Sequence, residues 1–581
     1  MPLSRHRHTP ALLATLGSLL VGCGGHSHAP APNPTPASSA TSAPAPKRNG
    51  PGISAADLRQ RLFAFSDDSM LGREAGTIGN VKGTDYIAAE AAKLGLTPAG
   101  DNGTFFQTVP LVLHQTDPAS KILAGGTTLV VGQDFILLPT FGGLFGTSFA
   151  SPGAEAIYGG RFGDSTQSLP AGSIAGKVIV FDAPIGPDGK PTGAFRGRAT
   201  LDRYSSAAAI AIAMLNYLPP AMSKRLSQPQ VSVGGADVGI SGHAVGLVIT
   251  QQAAVRMLGA PFSNLQVGQS GHTISGDVHT NDLPTAAPAR NVVAILPGSD
   301  STVAGEFVAI GGHNDHLGID DHASDHDSAR AALTARWRMR GLDPEGPQLT
   351  AAQIASIHIN VDSLHRGHPA RRDSVFNGAD DDGSGAISVL ELAQAFSNAK
   401  VRPRRSILFV WHTGEEKGLL GSAYFTDNPT VPRDSIVAQL NMDMVGRGGA
   451  ADIKGGGPTY LELVGSRRLS TELGDIVEAV NKTEPMPFHF DYQFDANGHP
   501  ENIYCRSDHY EYARYGIPIV FFTTGLHQDY HQITDEPQYI DYDHMARVDH
   551  LVYDVALRLA NLDHRVLVDK PKPDPHGQCR Q

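Results

Sequence analysis

Four short runs of apolar, often β-branched residues mark the second half of the chain: Phe307–Ile310, Ser406–Trp411, Val437–Leu440 and Ile517–Phe522. Runs without polar alternation are expected of strands buried on both faces of a mostly parallel sheet. Helical apolar spacing lies between them, most clearly in Ala386–Ala393, which opens after Gly383-Ser384-Gly385. From Arg290 onward the order is therefore strand, loop, helix. The pattern predicts an α/β fold with a mostly parallel central sheet flanked by helices.

The first half reads differently. Residues 53–70 have helical spacing, with Leu58, Leu62 and Phe63 on one side, and a turn-rich stretch runs from Leu71 to Gly79. A second helix passes through Tyr86, Ala89 and Ala92 to Leu94, and the Gly and Pro of residues 95–100 close it. From about 112 to 285, short β-type runs (Thr128–Val131, Lys177–Phe181, Val245–Ile249) alternate with Gly/Pro turns. An alanine-rich stretch around Ser206–Leu215 is expected to be helical. This is a separate β-rich module without ligand-like clusters of His, Cys or carboxylates.

Chemistry gathers where a parallel sheet presents it, just past the carboxyl ends of the strands. His313-Asn314-Asp315-His316 follows the first run, Glu415-Glu416 the second, Asp443 the third, and His527-Gln528-Asp529-Tyr530-His531 the fourth. An acidic loop, Asn377–Gly385 with Asp380, Asp381 and Asp382, precedes the helix at Ala386. The set His, Asp, Glu, Asp, His has no thiolate and suits zinc or another borderline divalent metal. Five ligands exceed the three of one catalytic zinc, whereas two metals sharing a carboxylate use five. Chemistry alone does not choose among Asp380, Asp381 and Asp382, or between His527 and His531.

In their order these motifs resemble the co-catalytic di-zinc aminopeptidase family, which has glutamate carboxypeptidase-like and glutaminyl cyclase-like branches. The resemblance covers roughly residues 53–110 and 286–562. It implies a zinc-exopeptidase (phosphorylase/hydrolase-like) fold, two zinc ions per chain and peptide substrates. His313 resembles the opening ligand of the first metal and Asp315 its hydrogen-bond partner. Asp381, three residues before the Ser of Asp-Asp-Gly-Ser-Gly, matches the bridging aspartate. Glu415 matches the general base, Glu416 a ligand of the second metal, Asp443 the remaining ligand of the first, and His531 that of the second. Tyr530 is placed to help the developing oxyanion. An aminopeptidase is the first expectation. A glutamate carboxypeptidase-like enzyme, for which Arg447 is a candidate cation, and a non-catalytic surface binding protein are the alternatives. Ser507-Asp508-His509 reads as pocket support, since three successive residues cannot form a Ser–His–Asp relay.

Residues 112–285 resemble an inserted protease-associated domain. A second insertion, 319–374, separates His316 from the acidic loop and carries helix-like pieces at 327–340 and 351–357. It is expected to form a lid or wall, with most of His322, His326, His358, His365 and His368 solvated.

Length and charge add bounds. At 581 residues the chain divides into several domains, read as 51–111, 112–285, 286–565 and a polar tail 566–581. A formal charge of -12 with no basic stripe argues against a nucleic-acid partner. Arg5 and Arg7 precede an apolar stretch, Ala11–Val21, too short to span a bilayer, and Leu20-Val21-Gly22-Cys23 resembles a bacterial lipobox. Residues 1–23 are thus expected to be a lipoprotein signal with Cys23 lipidated, and 24–50 a Pro/Ala/Ser-rich tether. That expectation makes the protein exported and lipid-anchored to the bacterial cell envelope. An oxidising compartment would allow Cys505 to pair with Cys579, which lies in a Pro-rich polar tail.

Overall fold

The computed structural model describes residues 52–138, 145–146, 148–164, 166–186, 203–234, 244–367, 369–577 and 579–581. The lipobox, Cys23 and the tether lie outside them. Among the described residues no helix is long and apolar enough to cross a membrane.

The C-terminal half is organised on a nine-stranded sheet. Its main strands are β1 (Ala289–Leu296), β2 (Phe307–His313), β3 (Ser406–His412), β4 (Ile436–Met442), β5 (Tyr460–Val464) and β6 (Ile519–Thr523). The four apolar runs form its centre in the order β3-β2-β4-β6, all parallel, with Ile310 beside both Phe409 and Leu440. The sheet is less uniformly parallel than the sequence suggests: β1 joins β3 and β5 joins β6 antiparallel. Consecutive strand residues feed opposite cores. Val308, Ile310, Phe409 and Trp411 pack on one side, and Phe307, Ala309, Leu408 and Val410 on the other. Burial of both faces is the reason the strands lack polar alternation.

One face is covered by α1 (Ala55–Phe65), α2 (Ile78–Lys93), α3 (Gly385–Ser397) and α4 (Tyr542–Ala560). Helix α3 is buried nearly all round because it lies between the sheet and the helices α1 and α4. In α1 the core-facing residues are Leu58, Leu62 and Phe65, at i, i+4 and i+7, whereas Phe63 is exposed beneath the Arg59 guanidinium. Phe63 therefore does not share the face of Leu58 and Leu62, contrary to the spacing read from the sequence.

A second sheet of ten strands runs from Leu111–Thr116 to Ser270–Pro284. The alanine-rich stretch expected to be helical is instead a strand here. Ala209–Ala213 pairs in parallel with both Val178–Asp182 and Val245–Ile249. Its alanines face one core and Ile210 and Ile212 the other. Two-sided burial overrides the helix preference of alanine.

Residues 319–374 lie beside the main sheet. A hairpin of Gly318–Asp325 and Arg372–Phe376 frames the helix His326–Met339. Arg330 lies over Tyr539 and donates to Asp529, and the Trp337 indole donates to the Asp452 carbonyl at 2.5 Å. His326 departs from the solvated reading, being buried and stacked on Tyr539. His322 and His358 are exposed, His365 is half-buried beside Asp325, and His368 lies outside the described residues.

Candidate metal centre

The parallel strands deliver their ends to one place. His313 is the last residue of β2, Asp443 directly follows β4, Glu415 and Glu416 follow β3 by three and four residues, and His531 lies in the loop after β6. The acidic loop leads into the start of α3 and is held through its own backbone by two buried side chains. Arg73, wholly buried with a left-handed φ of 48°, donates to the carbonyls of Asn377 and Gly378 at 2.7 and 2.9 Å. Asp535 accepts from the backbone N–H of Asp380 and Asp381. Met444 and His531 also have left-handed φ, at 59° and 57°. Three such non-glycine residues around one loop mark a backbone held in place by its surroundings.

The three aspartates separate by their partners. Asp380 Oδ1 accepts from the Gly446 N–H at 2.7 Å, and its Oδ2 lies 3.1 Å from His527. Asp382 accepts from the N–H groups of His313, Gly385 and Met444 at 2.9, 2.9 and 3.2 Å, so its oxygens fasten two strand ends to the start of α3. Asp382 stands near His313 and Asp443, but this backbone work occupies it. Asp381 faces outward instead. Its Oδ1 is 3.2 Å from His313 Nε2 and its Oδ2 is 3.1 Å from His531 Nε2. Each oxygen belongs to a different cluster. Asp443 Oδ1 completes the first, 3.7 Å from His313 Nε2, and Glu416 the second, with Oε2 3.0 Å from His531 Nε2. All five expected ligands are brought together, and His527 is turned away toward Asp380.

The expected partner of His313 is adjusted. His313 Nδ1 meets the backbone carbonyl of Asp315 at 3.0 Å, while the nearer carboxylate oxygen is 3.8 Å away. The Asp315 carboxylate accepts from the Glu415 N–H, so it orients the glutamate pair. Ser507 donates to Asp443 at 2.7 Å, which gives the Ser-Asp-His segment its supporting role. Two contributors escaped the sequence reading. Asp535, beside Glu536 and four residues after His531, follows none of the four apolar strand runs directly, and His316, fully buried beside Glu416, was visible only as a second His three residues after the first.

Asp381, Glu415, Glu416 and Asp443 gather as a carboxylate-rich cluster, and all but Glu416 line a cavity. Among the described residues none of the four pairs with a lysine or arginine; their close partners are histidines. Burial alone pushes the Glu415 carboxyl well up, and Glu416 and Asp443 add to it. Asp381 is held well below the ordinary range against its burial by His313 and His531. Burial works to lower His531 as well, but Glu416 and Asp381 raise it to about 10. Left to itself the protein would have to protonate its imidazoles to balance this charge. Asp381 Oδ2 and Glu416 Oε1 are buried without a hydrogen-bond partner among the described residues. Unsatisfied oxygens and imidazoles converging around two points fit a pair of divalent cations, and the nitrogen/oxygen donor set fits zinc.

The cavity opens on an apolar wall. Met444, Phe494, Ile503, Phe521 and Leu526 line it with Asp381, Glu415, Asp443, Arg506 and Tyr530. Arg506 pairs with Glu501 at 3.1 Å and lies 3.4 Å from the Tyr530 hydroxyl. Arg447, the candidate cation for a substrate carboxylate, is not in this cavity. It is buried between Asp452 and Asp529.

Residues 356–556, about a third of the chain, match the family model described as Peptidase family M28. The matched segment holds Asp381, Glu415, Glu416, Asp443, Tyr530 and His531, and begins after His313. Leupeptin-inactivating enzyme 1 of Streptomyces exfoliatus is 44% identical over 77 residues, 13% of this chain and 18% of that protein. Leucine aminopeptidase 1 of Aspergillus fumigatus is 29% identical over 199 residues, 32% of this chain and 47% of that protein. The chain thus spans less than half the length of these curated relatives. Among solved structures, an aminopeptidase from Aneurinibacillus sp. strain AM-1 aligns over 90% of this chain and 97% of its own, with 15% identity and a TM-score of 0.47.

Proposed function

We propose that this chain is an exported, lipid-anchored metallo-exopeptidase that binds two zinc ions and releases N-terminal residues from peptides. The observation that carries the reading is the division of Asp381, whose two oxygens each serve a separate cluster of buried histidine and carboxylate. His313 and Asp443 would hold one ion with Asp381, and Glu416 and His531 the other. A bound zinc pair supplies a water acidified toward neutrality and a polarised substrate carbonyl.

The protein's own groups do the rest. Glu415 lines the cavity with its Oε2 4.0 Å from His313 Nε2, beside the first cluster rather than inside it. From there it takes the proton of the attacking water and passes it to the leaving amine. The Tyr530 hydroxyl donates to the oxyanion as the carbonyl becomes tetrahedral, and Arg506 behind it favours that charge. The apolar wall receives a hydrophobic side chain. A mouth rich in carboxylates suits a protonated amine, and Arg506, the one arginine among the described residues that line it, is already met by Glu501. That charge balance favours an aminopeptidase over a carboxypeptidase. The module of residues 112–285 is read as a protease-associated domain, of the kind that shapes substrate access or mediates contacts.

The test is hydrolysis of aminoacyl-arylamides and matching N-acetylated peptides by protein lacking residues 1–50, with zinc measured on the same sample. Cleavage of free-amine substrates alone at about two zinc per chain is expected. Cleavage of acetylated, C-terminally free peptides would move the assignment to a carboxypeptidase.

A further inference from the structure

Resting on the two-zinc reading above, we infer that His316 is a fourth protein ligand of the second metal position, together with Asp381, Glu416 and His531. The two positions are then unlike: the second is closed by four protein donors and the first, with His313, Asp381 and Asp443, is open.

The geometry rests on Glu416. Its Oε2 lies 3.0 Å from His531 Nε2, and its Oε1 lies 2.7 Å from His316 Nδ1. The carboxylate is bracketed by two imidazoles whose planes cross at 66° with centroids 5.9 Å apart. His316 Nδ1 is also 3.9 Å from Asp381 Oδ2, the oxygen that serves this cluster. At 2.7 Å a hydrogen bond would be expected between His316 and Glu416. Yet His316 Nδ1 and Glu416 Oε1 are both buried without a hydrogen-bond partner among the described residues, because they are not aligned for one. Two donor atoms that close, aimed past each other, share a target rather than a proton.

His316 is fully buried, and its Nε2 too lacks a hydrogen-bond partner among the described residues. Room for the ring comes from Gly378 in the acidic loop: a Cβ there would stand 2.5 Å from the imidazole Cγ and Cδ2. Four protein donors would complete the tetrahedral shell that zinc takes in closed sites, here with nitrogen and oxygen in place of thiolates. Three donors at the first position leave a corner free on the side of Glu415, where substrate enters.

A crystal structure of the zinc-loaded full chain, with both ions located by anomalous scattering, tests this. The second zinc is expected within about 2.1 Å of His316 Nδ1. A zinc held by Asp381, Glu416 and His531 with His316 beyond about 3 Å overturns the assignment and leaves the two-zinc reading standing. Absence of zinc from both positions overturns the two-zinc reading, and this inference with it. In solution, His316→Ala should weaken one of the two zinc sites by more than about 100-fold in chelator competition and spare the other. A loss of only 10–100-fold, the range for groups that merely orient a ligand, also overturns the assignment. If His316→Ala does not fold, the structure of the zinc-loaded wild type decides.

Discussion

Glu415 and Glu416 are neighbours in the chain that serve different partners: Glu416 sits 3.0 Å from His531 and 2.7 Å from His316, while Glu415 lies 4.0 Å from His313 and lines the cavity. One carboxylate is enclosed by imidazoles and the other remains free to move a proton. Glu415→Gln should therefore keep its zinc and lower kcat on a leucyl-arylamide by about 10²–10⁴-fold. Glu416→Gln should lose zinc together with activity. Equal metal loss in both variants, measured by metal analysis of the assayed samples, would contradict the division.

A pH dependence of stability should arise behind the apolar wall. Glu462 is buried, and its Oε1 accepts from the N–H of Phe494, a wall residue. Burial, with Asp491 and Asp495 nearby, pushes its carboxyl up from 4.5 to about 8. The folded protein keeps a proton that the unfolded chain has released, so this contribution is complete below pH 4.5 and is lost as pH rises through 8. The loss amounts to about 5 kcal/mol. Urea midpoints between pH 5 and 8 should fall for the wild type and fall less for Glu462→Gln. Identical slopes would refute the assignment.

Arg447 should behave as a structural cation. It is bound on both sides by Asp452 and Asp529, and its removal would leave half-buried Asp452 without a cation and wholly buried Asp529 with only the more distant Arg330. Arg447→Met is expected to cost about 3–5 kcal/mol and leave the preference for free-amine over acetylated substrates unchanged. Unaltered stability with selective loss of C-terminally free substrates would restore it as a carboxylate receptor.

The pairing of Cys505 with Cys579 closes a loop of 74 residues. Opening it by Cys579→Ser should lower stability by about 4 kcal/mol on the loop-entropy account. Cys505 stands between Tyr504 and the cavity residue Arg506, so KM should rise more than kcat falls. A kcat collapse at constant KM would place the effect on the metal centre instead.

Much of the centre was legible because strand ends in a parallel sheet have a common direction. Once Phe307–Ile310, Ser406–Trp411 and Val437–Leu440 are strands, His313, Glu415 and Asp443 must meet. What could not be read depended on backbone partners. Asp380, Asp381 and Asp382 carry the same group, and only the N–H donors bound by Asp380 and Asp382 leave Asp381 free. Ala209–Ala213 read as helix because its strand character comes from neighbours more than thirty residues away in sequence on either side. Phe63 and Phe65 differ only in helical phase, which a loose spacing does not resolve. The Cys505–Cys579 pair likewise required the path of the tail.

That path has a consequence for selectivity. Gln581 accepts from the Tyr504 N–H and donates to the carbonyl of Ala496, while Gly498 donates to the Gln581 carbonyl. Residues 579–581 thus brace the same segment, 494–506, that supplies Phe494, Ile503 and Arg506 to the cavity. A molecule trimmed after residue 565 would retain every carboxylate and imidazole of the centre but lose the brace of its selective wall. Loss of residues 566–581 would thereby be felt as loss of discrimination rather than loss of the centre itself.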